Sequence, residues 1–139
     1  MLMTLAKIFG AAAIVLFVLT LMNFALKWTY RNYPKYFKKH PKYAKVHLAL
    51  MKPFVKMHKW VGIGTVAMMD AHIVLAFLWE DDFNVSGVAT AVLLLSQMFL
   101  GMYGAWAKPK GKTWLIIHRI VAICAIAALI AHGILTDFD

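Results

Sequence analysis

Cysteine is almost missing from this chain. Cys124 stands alone among 139 residues, which excludes an intrachain disulfide and a thiolate-held metal cluster. Charge is scarce as well. Only 15% of the residues are charged and six are acidic, whereas a soluble domain carries about 25% charged residues. No acidic residue precedes Asp70. No flavin, nicotinamide or iron–sulfur motif occurs, so a self-contained reductase is not expected. What fills the chain instead is apolar: 63% of it is hydrophobic, with a mean hydropathy of +0.71. The length fits one domain.

The apolar residues fall into four runs, at about 8–26, 57–79, 85–107 and 113–136. Each is near the ~20 residues that cross ~30 Å of hydrocarbon. The first exceeds the 7–15 residues of a signal-peptide core and has no small-x-small site after it, so it reads as a retained helix. The expected fold is an all-α membrane protein, a bundle of four transmembrane helices in one domain, 1–139.

The connections alternate in charge. The segment from Lys27 to Lys59 holds ten Lys/Arg and no acid. Glu80-Asp81-Asp82 follows the second span, Lys108-Pro109-Lys110-Gly111-Lys112 follows the third, and the tail ends in Asp137 and Asp139. Basic connections stay cytoplasmic. The pattern therefore predicts a multi-pass protein of the cytoplasmic (inner) membrane with both termini outside. The long basic connection, 27–56, also carries Tyr30, Tyr33, Tyr36, Phe37 and Tyr43, and Pro34, Pro41 and Pro53 are expected to cut it into short pieces. It reads as a segment on an anionic lipid surface or a docking face for another subunit. A nucleic-acid partner is not expected, because the segment is tethered between two spans.

Four histidines form two pairs of equal spacing: His58 and His72 in the second span, His118 and His132 in the fourth. Fourteen residues make four turns of a helix supercoiled at about 3.5 residues per turn, so both members of a pair share a face, roughly 21 Å apart. One crossing lies between the two spans, so they run parallel. His58 then meets His118 at the cytoplasmic level and His72 meets His132 nearer the outside. Ionisable groups inside a membrane are costly and usually functional. Two imidazoles facing across a gap suit an iron held in a macrocycle, with both axial positions filled; such a centre moves electrons. Zinc wants about four ligands, and each pair offers two.

Gly87 and Gly101 in the third span repeat the fourteen-residue spacing, at the levels of His132 and His118. Missing side chains there would let a flat macrocycle approach the backbone. Gly62 and Gly64 read as helix-packing residues. Gly10 has no counterpart, because Phe24 stands fourteen residues on.

These residues resemble the di-haem four-helix bundle of cytochrome b in the bc-type respiratory and photosynthetic complexes. The likeness rests on His58-x13-His72, His118-x13-His132 and Gly87-x13-Gly101 and covers roughly the whole chain. It implies that the four histidines are axial ligands of two b-type haems. No Cys-x-x-Cys-His occurs, so covalent attachment is not implied. The first span lacks that family's paired glycines, and its further helices and quinol-oxidation motif are not among these residues. The resemblance thus implies a minimal electron-carrying subunit of a larger complex, working between the quinone pool and a redox partner. The alternatives are a stand-alone reductase resembling the ferric reductases, which calls for six spans and a flavin domain, and a haem-free anchor.

Haem propionates call for cations. Lys59, Lys108, Lys112 and above all Arg119, which follows His118, are available at the basic end. The outer end offers Asn84, Ser86 and Thr136 and, on this reading, no base. Asp70 lies about 200° around the helix from His72, off the histidine face. It reads as a proton relay or as a neutral, hydrogen-bonded acid. Cys124 reads as filler, and His40 and His47 as surface residues.

Overall fold

The computed structural model describes residues 1–80, 84–107, 109 and 111–137. Asp81, Asp82, Phe83, Lys108, Lys110, Phe138 and Asp139 lie outside them. The described chain is helical in five pieces: α1 (Leu2–Asn32), α2 (Pro34–Lys39), α3 (Pro41–Glu80), α4 (Val85–Trp106) and α5 (Thr113–Asp137). Four of these, all but α2, are long and apolar enough to cross a membrane. The molecule is a multi-pass helical membrane protein.

The helix ends follow local chemistry. Pro34 and Pro41 open α2 and α3 at the first helical position, where a missing N–H costs nothing. Asn84 caps α4, its side-chain oxygen accepting from the Gly87 N–H at 3.1 Å. Gly111 turns the chain into α5 at φ +97°, a conformation that side chains resist.

The basic connection departs from expectation. Segment 27–56 is not a string of surface pieces: α1 runs on to Asn32, and α3 begins at Pro41 and passes through Pro53 unbroken. Pro53 removes one backbone hydrogen bond, and α3 packs extensively against α1, so the helix continues.

The helices assemble as two hairpins, α1 with α3 and α4 with α5, joined where α3 meets α4. Among the described residues no Cα of α3 comes within 8 Å of a Cα of α5. The core sits at mid-height, where Ala13, Phe17, Val66, Met69, Ala91, Leu94 and Ala125 are buried together. Ala125 is 0% exposed. Thr65 and Thr90 are buried with them, their hydroxyls donating to the carbonyls of Val61 and Ser86 one turn back. Val92, Phe99, Ile123 and Ile130 face outward, each more than half exposed, as apolar side chains do where lipid is the solvent.

Candidate functional site

The two histidine pairs converge as the spacing predicts. His58 of α3 faces His118 of α5 with ring centroids 6.4 Å apart and planes at 79°. His72 faces His132 at 6.3 Å and 69°. A direct hydrogen bond of about 3 Å between facing ring nitrogens would bring the centroids to about 5.2 Å. A metal–imidazole bond is about 2.0–2.1 Å; with the ring centre about 1.1 Å behind the nitrogen, two imidazoles on opposite sides of one metal stand about 6.2–6.4 Å apart. Both observed separations match the second distance. Thr65 and Ala125 lie midway between the members of each pair, so the buried mid-height core separates the two gaps.

The hydrogen bonds fix which ring nitrogen carries the proton. His72 Nδ1 lies 2.8 Å from the Ala6 carbonyl oxygen. A carbonyl only accepts, so Nδ1–H donates and the lone pair is on Nε2. Gly10 makes this contact possible. It stands one turn after Ala6, and a Cβ there would lie 3.0 Å from His72 Nδ1. The glycine uncovers the carbonyl that holds the histidine.

His132 is held from α4. Its Nδ1 lies 2.9 Å from Ser86 Oγ, and Ser86 donates its own proton to Asn84 Oδ1. Ser86 must then accept from His132 Nδ1–H. The Asn84 cap, Ser86 and His132 form one chain of donors, again leaving the lone pair on Nε2. Gly87 closes the same corner: a Cβ there would meet His132 Cε1 at 3.2 Å.

At the other level Gln97 Nε2 donates to His118 Nε2 at 3.1 Å. The Nδ1 atoms of His58 and His118 and Gln97 Oε1 are buried without a hydrogen-bond partner. The pair borders a cavity of ≈ 290 Å³ walled by all four long helices, with Lys59, Gly62, Gln97, Gly101 and Trp114 among its lining. That is the lower range of small-molecule sites, about 300–1,000 Å³. A Cβ at Gly62 would meet nothing within 4 Å, and one at Gly101 would meet only His118, at 3.6 Å.

Three sequence expectations need correction. Gly62 lines the cavity beside His58; Gly64, against Leu16, is the packing residue. His47 is half-buried and joins α3 to α1, its Nε2 donating to the Leu26 carbonyl at 2.9 Å beneath the ring of Tyr30. The level expected to be outer and without a base does hold one: Lys7 directly follows Ala6, the residue that bonds His72. Arg119 extends over the ring of Phe24 in α1, at 5.5 Å, while Lys59 lines the cavity. Asp70 is exposed on α3, off the histidine face as expected.

The contacts of Ala6, Gly10, Ser86 and Gln97 with the histidines escaped sequence reasoning, which named Ser86 only for a propionate and Gly10 only as lacking a repeat. Gly10 lacks the repeat that marks Gly87 and Gly101, and a backbone carbonyl has no signature in sequence. Ser86, one residue before Gly87, was within reach of a helix-cap reading.

No protein-family model matches the chain, and neither a curated protein nor a solved structure matches it. Among the described residues no group of three or more His, Cys, Asp or Glu could hold a metal ion by itself. Each gap offers a metal two nitrogens, so a metal there must bring its remaining ligands.

Proposed function

We propose that the chain is a di-haem b-type cytochrome subunit that carries electrons across the cytoplasmic membrane, between the quinone pool and a redox partner. The observation that carries this reading is the twin separation of 6.4 and 6.3 Å, repeated at two heights in one bundle. A haem bound there would bring the further metal ligands that the two imidazoles of each pair do not provide, and would supply one-electron exchange.

The residues fit that group. His58 with His118, and His72 with His132, would be the axial pairs. Ala6, Ser86 and Asn84 orient two of these rings and keep Nε2 as the ligating atom. Gln97 donates to the His118 Nε2 lone pair that a metal would need, so its side chain would have to turn aside for His118 to serve as a ligand through that atom. Gly62 and Gly101 leave room beside the basic-end pair, and Gly10 and Gly87 let the outer rings approach the backbone. Lys59 supplies a cation for a propionate inside the cavity, and Arg119 lies one residue beyond His118 for the same role. The mid-height core keeps water and cofactor from passing between the levels. An apolar recess of ≈ 230 Å³ between Leu19, Pro53, Phe54 and Val61 has His58 on its wall; its chemistry suits the ring of a lipid-dissolved quinone. The basic end faces the cytoplasm on this reading, and both termini face outward.

A reduced-minus-oxidised spectrum with haem quantitation tests the proposal. The expected result is a b-type α-band with two haems per chain, falling to one in His72→Ala or His132→Ala. Protein isolated with its native complex and found colourless rejects it.

A further inference from the structure

The bundle is level at one end and stepped at the other. Measured from the buried mid-height residues, α3 reaches 15 residues beyond Thr65 to Glu80, and α5 reaches 12 beyond Ala125 to Asp137. At the basic end, α4 stops 12 residues from Leu94 at Trp106, and α5 starts 12 from Ala125 at Thr113. In contrast, α3 runs on for 24 residues, from Thr65 back to Pro41. At 1.5 Å per residue the α4–α5 turn lies about 18 Å from the bilayer centre and the tip of α3 about 36 Å. A bilayer with its headgroups is about 40–45 Å thick. The turn is therefore at headgroup level; α1 ends near the headgroup edge, 15 residues from Phe17 at Asn32, and α2 and the start of α3 rise from there to about 15 Å clear of it.

This projecting head is built, not loose. Phe37 is 9% exposed, with its ring centre 5.1 Å from Tyr30 and 4.9 Å from His47. His47 ties the head to α1 through the Leu26 carbonyl. Six cations cover it: Arg31, Lys35, Lys38, Lys39, Lys42 and Lys45, all exposed, with no acid between Trp28 and Leu50. Tyr33, Tyr36 and Tyr43 are at least half exposed among them.

Positive-inside anchoring needs cations at the headgroups, and Lys27, Lys52 and Lys56 already stand near that level. Lys38, Lys39 and Lys42, at the tip of the head, lie beyond a Debye length, about 8 Å at physiological salt, from lipid phosphates. Uncompensated like charge destabilises the fold that carries it. Exposed tyrosines between such charges are the residues that anchor protein interfaces. The head also stands beside the low α4–α5 turn. A partner leaning on it would sit over Trp106, Trp114 and Lys59, the rim of the His58–His118 cavity.

We propose that the α1–α2–α3 head is the docking face for an acidic soluble protein, which it seats on the α4–α5 turn above the His58–His118 pair. This deepens the electron-carrier reading by giving the partner's chemistry and side. Its binding measurement stands apart from that reading.

The test uses the full chain in nanodiscs of neutral lipid, with succinylated cytochrome c as the acidic probe and unmodified cytochrome c as its basic twin. The chain is expected to bind the acidic probe and not the basic one. The variant K38E/K39E/K42E/K45E is expected to weaken that binding at least tenfold, and K38Q/K42Q about threefold. K52E/K56E, at the headgroup level, should stay within twofold. Equal loss in the head and headgroup variants overturns the proposal. So does stronger binding of a 20-base-pair DNA duplex, which would make the head a nucleic-acid face. Loss of probe binding when phosphatidylserine is added, with the head then protected from trypsin, would make lipid the occupant. Colourless protein that still shows head-dependent binding sinks the haem reading and keeps this one; coloured protein without it does the reverse.

Discussion

His72 and His132 show how a neutral imidazole is aimed inside a membrane. Each spends its Nδ1 proton on a fixed acceptor, Ala6 O or Ser86 Oγ, and so carries its ring lone pair on Nε2. Removing such a partner leaves a buried donor unpaired, at a cost of about 1–3 kcal/mol, and lowers metal affinity about 10–100-fold. On the proposed di-haem reading, Ser86→Ala is therefore expected to weaken haem retention between His72 and His132 by that factor while leaving the other haem in place; dilution of the holoprotein followed by haem transfer to apomyoglobin measures it. Gly10→Val should act more strongly. Its Cβ alone would lie 3.0 Å from His72 Nδ1, and two further methyls force the ring off Ala6. The expected stoichiometry is one haem per chain; two would show that the Ala6 contact is dispensable. The histidines were legible because a fourteen-residue repeat survives in one dimension. Gly10 was not, because its role arises where α1 crosses α3.

At the scale of elements, the four spans were legible from apolar length, and the connection between the first two was misread. The three prolines predict three cuts; Pro34 and Pro41 do mark the two breaks that bound the short α2, and only Pro53 is carried through a helix. A proline costs a helix one hydrogen bond locally, whereas α3 also packs against α1, and only the local cost is visible in sequence. The mid-height layer was equally hidden. Ala13, Leu94 and Ala125 look like ordinary span residues, and their importance comes from sharing one level. Ala125 has no exposed surface, so Ala125→Leu overpacks that layer and should destabilise the bundle by about 1–3 kcal/mol. A lowered thermal midpoint in detergent checks this, and Ile123→Leu, on the exposed face, is the control expected to leave the midpoint unchanged.

For the whole molecule, the arrangement raises a question of cohesion. Two hairpins meet through α3 and α4 and through one thin core, while α3 and α5 stay apart at the backbone. Every long helix carries large apolar side chains on its outer surface, and lipid satisfies these whether or not the hairpins stay together, since the hydrocarbon is as apolar as leucine. A ligand clamped between His58 and His118, and another between His72 and His132, would bridge α3 to α5 directly. Binding to the assembled bundle alone stabilises it by about 4 kcal/mol per site when the ligand is at 1,000 times its dissociation constant. The holoprotein should therefore melt well above a variant with all four histidines replaced by alanine, and His72→Ala should fall between them. Differential scanning calorimetry of the three proteins in the same detergent reads the transition in each. Coincident melting of the three proteins would mean that the gaps contribute nothing to holding the hairpins together, and the bundle would then owe its cohesion to the mid-height core alone.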